Sequence, residues 1–126
     1  MGLRTKRPNV DTSVMQFSST TQRLSVEIVT LDGRLDALVA ADLRAHLESI
    51  LQAGTHQIIV DLSVVEFVDS AGLAALVKAM KDARKLGGDL RLVRPQGEDA
   101  WRVFELTRFD QVFSFGDTVD ELTGER

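Results

Sequence analysis

Residues 60–77, VDLSVVEFVDSAGLAALV, begin as a strand and end as a helix, with Asp69-Ser70-Ala71-Gly72 at the junction. One carboxylate and one hydroxyl precede two residues with almost no side chain. Three kinds of chemistry need a serine there. As a cap, Ser70 accepts hydrogen bonds from the free N–H groups of the first helical turn, and position alone favours this use. However, the residue three places on is Leu73, so no reciprocal capping box forms, and Asp69 is a second residue able to cap. As a nucleophile, Ser70 needs a base to take its proton. His46 and His56 are the only histidines; one lies mid-helix, the other starts a strand, and neither has an evident orienting partner. The G-x-S-x-G frame of a hydrolase elbow is also missing. The chain is therefore not expected to be an enzyme. As a phosphate acceptor, Ser70 needs only exposure and a kinase, and a helix N-terminus stabilises the added charge.

The elements that hold this junction follow from periodicity. VMQFSS is a short strand, and RLSVEIVTL alternates Leu24, Val26 and Ile28 with Ser25 and Glu27, as a strand with one wet face does. DGRLD turns the chain. ALVAADLRAHLESILQAG is helical, with Val39, Leu43, Leu47 and Ile50 on one stripe and Gly54 at its end. Asp36 is placed to cap it. QIIVDL is a strand pointing Ile58, Val60 and Leu62 one way. The second helix starts near Ser70, buries Leu73, Leu76, Val77 and Met80, and stops at Gly87-Gly88. The Lys78/Lys81/Lys85 row is its solvated face. DLRLVR is a strand. EDAWRVFELT is a helix burying Ala100, Val103, Phe104 and Thr107, with Trp101 packed beside that stripe. VFSF is a last strand and TVDELTG a terminal helix. Alternating strands and helices imply parallel pairing through right-handed crossovers. Strands covered on both faces read as continuous apolar runs. Here Ser25, Glu27, Asp61, Arg91 and Ser114 break the runs, so the helices belong mostly on one face.

Composition bounds the rest. A chain of 126 residues with 44% hydrophobic residues fits one α/β domain, expected over 14–126 behind a polar tail at 1–13. A net charge of −4 gives no reason to expect nucleic acid or an anionic membrane as partner. No apolar run approaches the roughly 20 residues of a span, and no secretory signal opens the chain, so a cytoplasmic place is expected. With no cysteine and two histidines, neither a metal nor a cofactor is expected.

The stretch VDLSVVEFVDSAGLAALV resembles the signature of STAS domains, as found in bacterial anti-sigma factor antagonists. LDGRLDALVAADL resembles the family's Gly-x-Leu-Asp segment opening helix one, ARKLGGDLRLVRP its Gly-Gly turn, and VFELTRFDQVFSF its last helix and strand. The resemblance implies a right-handed βα superhelix: a mixed sheet of about five strands with helices mostly on one face. It places the phosphorylated residue at Ser70, and Asp36, Asp69, Ala71 and Gly72 around it on the partner-binding surface. It implies an anti-sigma factor that is also a GHKL-type serine kinase as partner, and a PP2C-type phosphatase that resets the switch. The unmodified chain, a monomer or weak dimer, binds the kinase and releases a sigma factor; phosphorylation ends that binding. The alternative within the family is an unphosphorylated adaptor or scaffold subunit of a transporter or signalling complex. Two positions depart from the pattern. Ala71 stands where many members have a second hydroxyl, and Arg108 where members often have Gly. If Arg108 is left-handed, it costs on the order of 1 kcal/mol.

Overall fold

Strand β1, Met15–Thr21, pairs antiparallel with β2, Val26–Leu35. The computed structural model describes residues 15–21 and 26–124. The expected tail and the positions Leu24 and Ser25 lie outside the described residues. From β2 onward each strand joins the next in parallel through a helix: α1 (Ala37–Gln52), β3 (Gln57–Val68), α2 (Ser70–Lys85), β4 (Asp89–Val93), α3 (Glu98–Leu106) and β5 (Phe115–Gly116). A short helix α4, Val119–Thr123, follows. The sheet order is β1-β2-β3-β4-β5, so every crossover steps one strand in the same direction and the chain advances as a superhelix. The sheet is mixed and five-stranded, as expected.

The two faces are unequal. Val29, Leu31, Ile58, Val60, Leu62, Leu90 and Leu92 meet α1, α2 and α3 in the main core. Ile28, Ile59 and Val93 point the other way, where Val119 and Leu122 of α4 cover them. Arg91 lies half-buried and donates from Nη1 to the Leu122 carbonyl (2.6 Å), which ties α4 down. Three helices on one face and a five-residue helix on the other explain the polar interruptions of the strands.

Several expectations are corrected. DGRLD does not turn the chain: β2 runs on to Leu35, with Gly33 at φ 95 accommodating a bulged register. The strand expected at VFSF is shorter and starts later. A 3₁₀ turn at Phe109–Gln111 occupies the approach, Phe113 drops into the core among Phe104 and Phe115, and only Phe115 and Gly116 pair with β4. Thr107 is exposed and ends α3, its hydroxyl donating to the Val103 carbonyl (2.7 Å). Val77 and Val103 are half-buried, packed beside the α2 and α3 stripes rather than within them. Trp101 is both core and surface: half-buried, edge-on to Phe115 at 5.0 Å, with the Arg94 guanidinium 4.7 Å from its centroid.

Arg108 adopts φ 66 and ψ 13, the sole non-glycine positive φ among the described residues. The strain belongs to its Cβ. Arg108→Gly is therefore expected to gain about 0.5–1 kcal/mol and raise the melting temperature by a few degrees. Arg108→Ala keeps the Cβ and melts no higher than wild type. A thermal denaturation series of the three proteins decides it; a lower melting temperature for Arg108→Gly refutes the strain.

Candidate functional site

Two helices begin side by side at the carboxyl ends of β2 and β3. Each is capped by the aspartate before it. Asp36 Oδ1 accepts from Leu38 N–H (3.1 Å), and Asp69 Oδ1 accepts from Gly72 N–H (2.9 Å). Both residues have the extended backbone of an N-cap. Asp69 is shared between the helices: its second oxygen, Oδ2, accepts from Ala37 N–H of α1 at 3.2 Å. Its own N–H donates to the Leu35 carbonyl at 3.1 Å, so one residue ties β2, α1 and α2 at a single point.

Gly72 is what lets these ends close. A Cβ added there lies 2.5 Å from the Leu35 carbonyl oxygen and 2.6 Å from Leu35 Cγ. Leu35 is fully buried and fixed by the core, so only a hydrogen fits between them.

Ser70 is the first residue of α2 and is exposed. The expectation from position, that it caps the helix, is corrected: Asp69 does. The two carboxylate oxygens of Asp69 reach farther than a serine hydroxyl, and they take the cap and the bridge together. The Ser70 hydroxyl makes no hydrogen bond with the described residues. Some other hydroxyls are engaged. Ser49 donates to the His46 carbonyl at 2.8 Å, Thr107 to Val103, and Thr118 accepts from Glu121 N–H at 3.0 Å.

The surroundings of Ser70 are small or acidic. Ala71 is half-buried, and Ala37 and Ala74 are exposed. Asp36 makes a loose ion pair with Arg34, Nε to Oδ2 at 3.7 Å, while the Arg34 guanidinium lies 4.0 Å from the Phe67 centroid. Such a half-exposed pair contributes at most about 1 kcal/mol. Sequence reasoning singled out neither Arg34, Phe67, Leu35 nor Leu38. Leu38 carried a legible signal, since it falls off the stripe of Val39, Leu43, Leu47 and Ile50.

Neither histidine stands by the hydroxyl. His46 is half-buried ten residues along α1 from Asp36, roughly 15 Å up the helix. His56 lies at the opposite end of β3, whose twelve residues span on the order of 35 Å. General base chemistry needs about 3 Å. Two grooves lie elsewhere: one is lined by Ser63, Glu66, Glu98 and Asp99, another by Leu51, His56, Asp82 and Leu86. Ser70 is exposed to solvent. Among the described residues no cluster of His, Cys, Asp or Glu is placed to hold a metal ion, and no helix is long and apolar enough to cross a membrane.

A family model described as the STAS domain matches residues 18–122. A Thermotoga maritima protein described as a candidate anti-sigma factor antagonist is 35% identical over 78 residues, 62% of this chain and 68% of its own length. The anti-sigma-F factor antagonist RsfB of Mycobacterium tuberculosis is 29% identical over 103 residues, 80% of this chain and 82% of its own. The crystal structure of a candidate anti-sigma factor antagonist from Thermotoga maritima superposes with a TM-score of 0.79 at 28% identity, covering 86% of this chain and 92% of that one.

Proposed function

We propose that this chain, which belongs to the STAS domain family, is an anti-sigma factor antagonist switched by phosphorylation of Ser70. The observation that carries the reading is the Ser70 hydroxyl itself, exposed at the start of α2 and released from structural work because Asp69 caps the helix. The partner is an anti-sigma factor that is also a GHKL-type serine kinase. The unmodified chain binds it and frees the sigma factor. The kinase transfers the γ-phosphoryl group of ATP to Ser70 Oγ, ADP leaves, and the hydroxyl proton passes to a base of the kinase. A PP2C-type phosphatase hydrolyses the phosphoserine and restores binding.

The local physics favours a surface switch. The N–H groups of Ser70 and Ala71 open the helix and are not taken by a cap. A phosphate on Ser70 meets them and the positive end of the α2 dipole. It also brings about −1.5 to −2 charge beside Asp69 and Asp36. The fold tolerates this; a partner surface fitted to a neutral hydroxyl does not.

Intact mass after incubation with ATP and the cognate kinase tests the assignment. Wild type gains one phosphate and Ser70→Ala gains none. Because Ser70 makes no cap bond, Ser70→Ala also melts within about 0.5 kcal/mol of wild type. Efficient labelling of Ser70→Ala, at Ser63 for example, refutes the acceptor.

A further inference from the structure

Leu38 is 76% exposed at the second position of α1. Nothing in the fold uses its side chain, and alanine there serves a helix better. We infer that Leu38 is the apolar anchor of the partner-binding surface around Ser70, filling a pocket on the kinase that carries a lysine or arginine one helical turn farther from Ser70. The inference rests on the Ser70 reading and adds the residue that supplies the affinity.

Three observations carry it. The first is placement. Leu38 N–H is held by Asp36, and the preceding N–H, of Ala37, is held by Asp69, whose other oxygen caps the helix bearing Ser70. One carboxylate thus fixes Leu38 relative to the switch residue. A backbone held in place before binding loses little freedom on docking. The second is relief. Ala37, Ala41, Ala74 and Ser70 are exposed and small, so Leu38 stands out from a low surface. The third is charge. Asp42 is exposed four residues on, on the same face of α1 as Leu38. Asp36 is already met by Arg34, which leaves Asp42 as the charge offered to a partner cation. That cation lies away from Ser70, so it does not stabilise the phosphorylated form.

The test uses the full chain and a purified GHKL-type anti-sigma factor kinase from the same genome. Leu38→Ala is expected to melt no lower than wild type and to bind the kinase about ten- to a hundredfold more weakly, the worth of one buried leucine. In the phosphorylation assay its KM rises by a similar factor and kcat stays unchanged, because the hydroxyl is untouched. Asp42→Lys is expected to slow association and to reduce its dependence on salt. If Leu38→Ala binds within twofold of wild type while Ser70→Asp loses binding, the anchor is refuted and the switch stands. If wild type binds the kinase but neither protein is phosphorylated, the Ser70 reading falls, and the affinity ratio still judges Leu38. If sedimentation shows a wild-type dimer that Leu38→Ala dissociates, the occupant is a second copy and the inference is overturned.

Discussion

Ser70→Asp is expected to keep the fold, melting at or slightly above wild type, and to bind the kinase at least a hundredfold more weakly. The two halves of this result have separate causes. In the folded chain, position 70 is exposed and opens α2, where a carboxylate interacts favourably with the helix dipole by about 0.3–1 kcal/mol. The cap is untouched, since it belongs to Asp69. In the complex, the same carboxylate is pressed against the partner without a cation and loses its water. About 3 kcal/mol of lost binding already exceeds a hundredfold in affinity. Calorimetric titration measures the affinity, and an amide NMR spectrum measures the fold. Shifts confined to the turns near Asp36 and Ser70 are expected. Changes spread across the whole sheet refute the surface mechanism and point to refolding.

Gly72→Ala is expected to destabilise the domain by about 2–4 kcal/mol, on the order of 10 °C in melting temperature. The added methyl meets the Leu35 carbonyl at 2.5 Å, and a backbone atom cannot rotate away. Either α2 or the end of β2 must move by several tenths of an ångström. That motion pulls Asp69 from Ala37 N–H and from the Leu35 carbonyl, each bond worth about 1 kcal/mol. The two helix starts then part, so kinase affinity falls as well, even well below the melting temperature. Gly97→Ala is the control: a Cβ there meets nothing within 4 Å, and its cost is limited to a poorer helix cap. Equal melting temperatures for the two variants refute the close approach.

Much of the fold was legible because it is local. The α1 stripe of Val39, Leu43, Leu47 and Ile50 is buried as its 3.6-residue spacing requires, and α1 and α2 both end at left-handed glycines, Gly54 and Gly87. Ile58, Val60 and Leu62 alternate into the core as read. Beyond Leu62 that logic fails. Val65 and Val68 are the next buried residues, three apart, because β3 carries two extra residues against β2. A bulge is a property of two strands, and neither strand states it alone. VFSF reads as a strand for the opposite reason. Its composition suits one, yet the aromatic cluster of Phe104, Phe113 and Phe115 takes Phe113 as a core residue before pairing begins.

The site divides along the same line. Sequence alone determined that a strand ends and a helix begins at Asp69-Ser70, that Asp36 opens the preceding helix, and that a hydroxyl stands there between a carboxylate and two small residues. Helix signals and caps act over three or four residues, so they can be read in order along the chain. Only the tertiary structure decided that Asp69 rather than Ser70 is the cap, because its second oxygen serves Ala37, 32 residues away. It alone decided that Gly72 is needed for the approach of Leu35, and that Leu38 stands unburied beside the switch. These are contacts between segments that the sheet brings together, and a carboxylate divides its two oxygens only when both donors are in place.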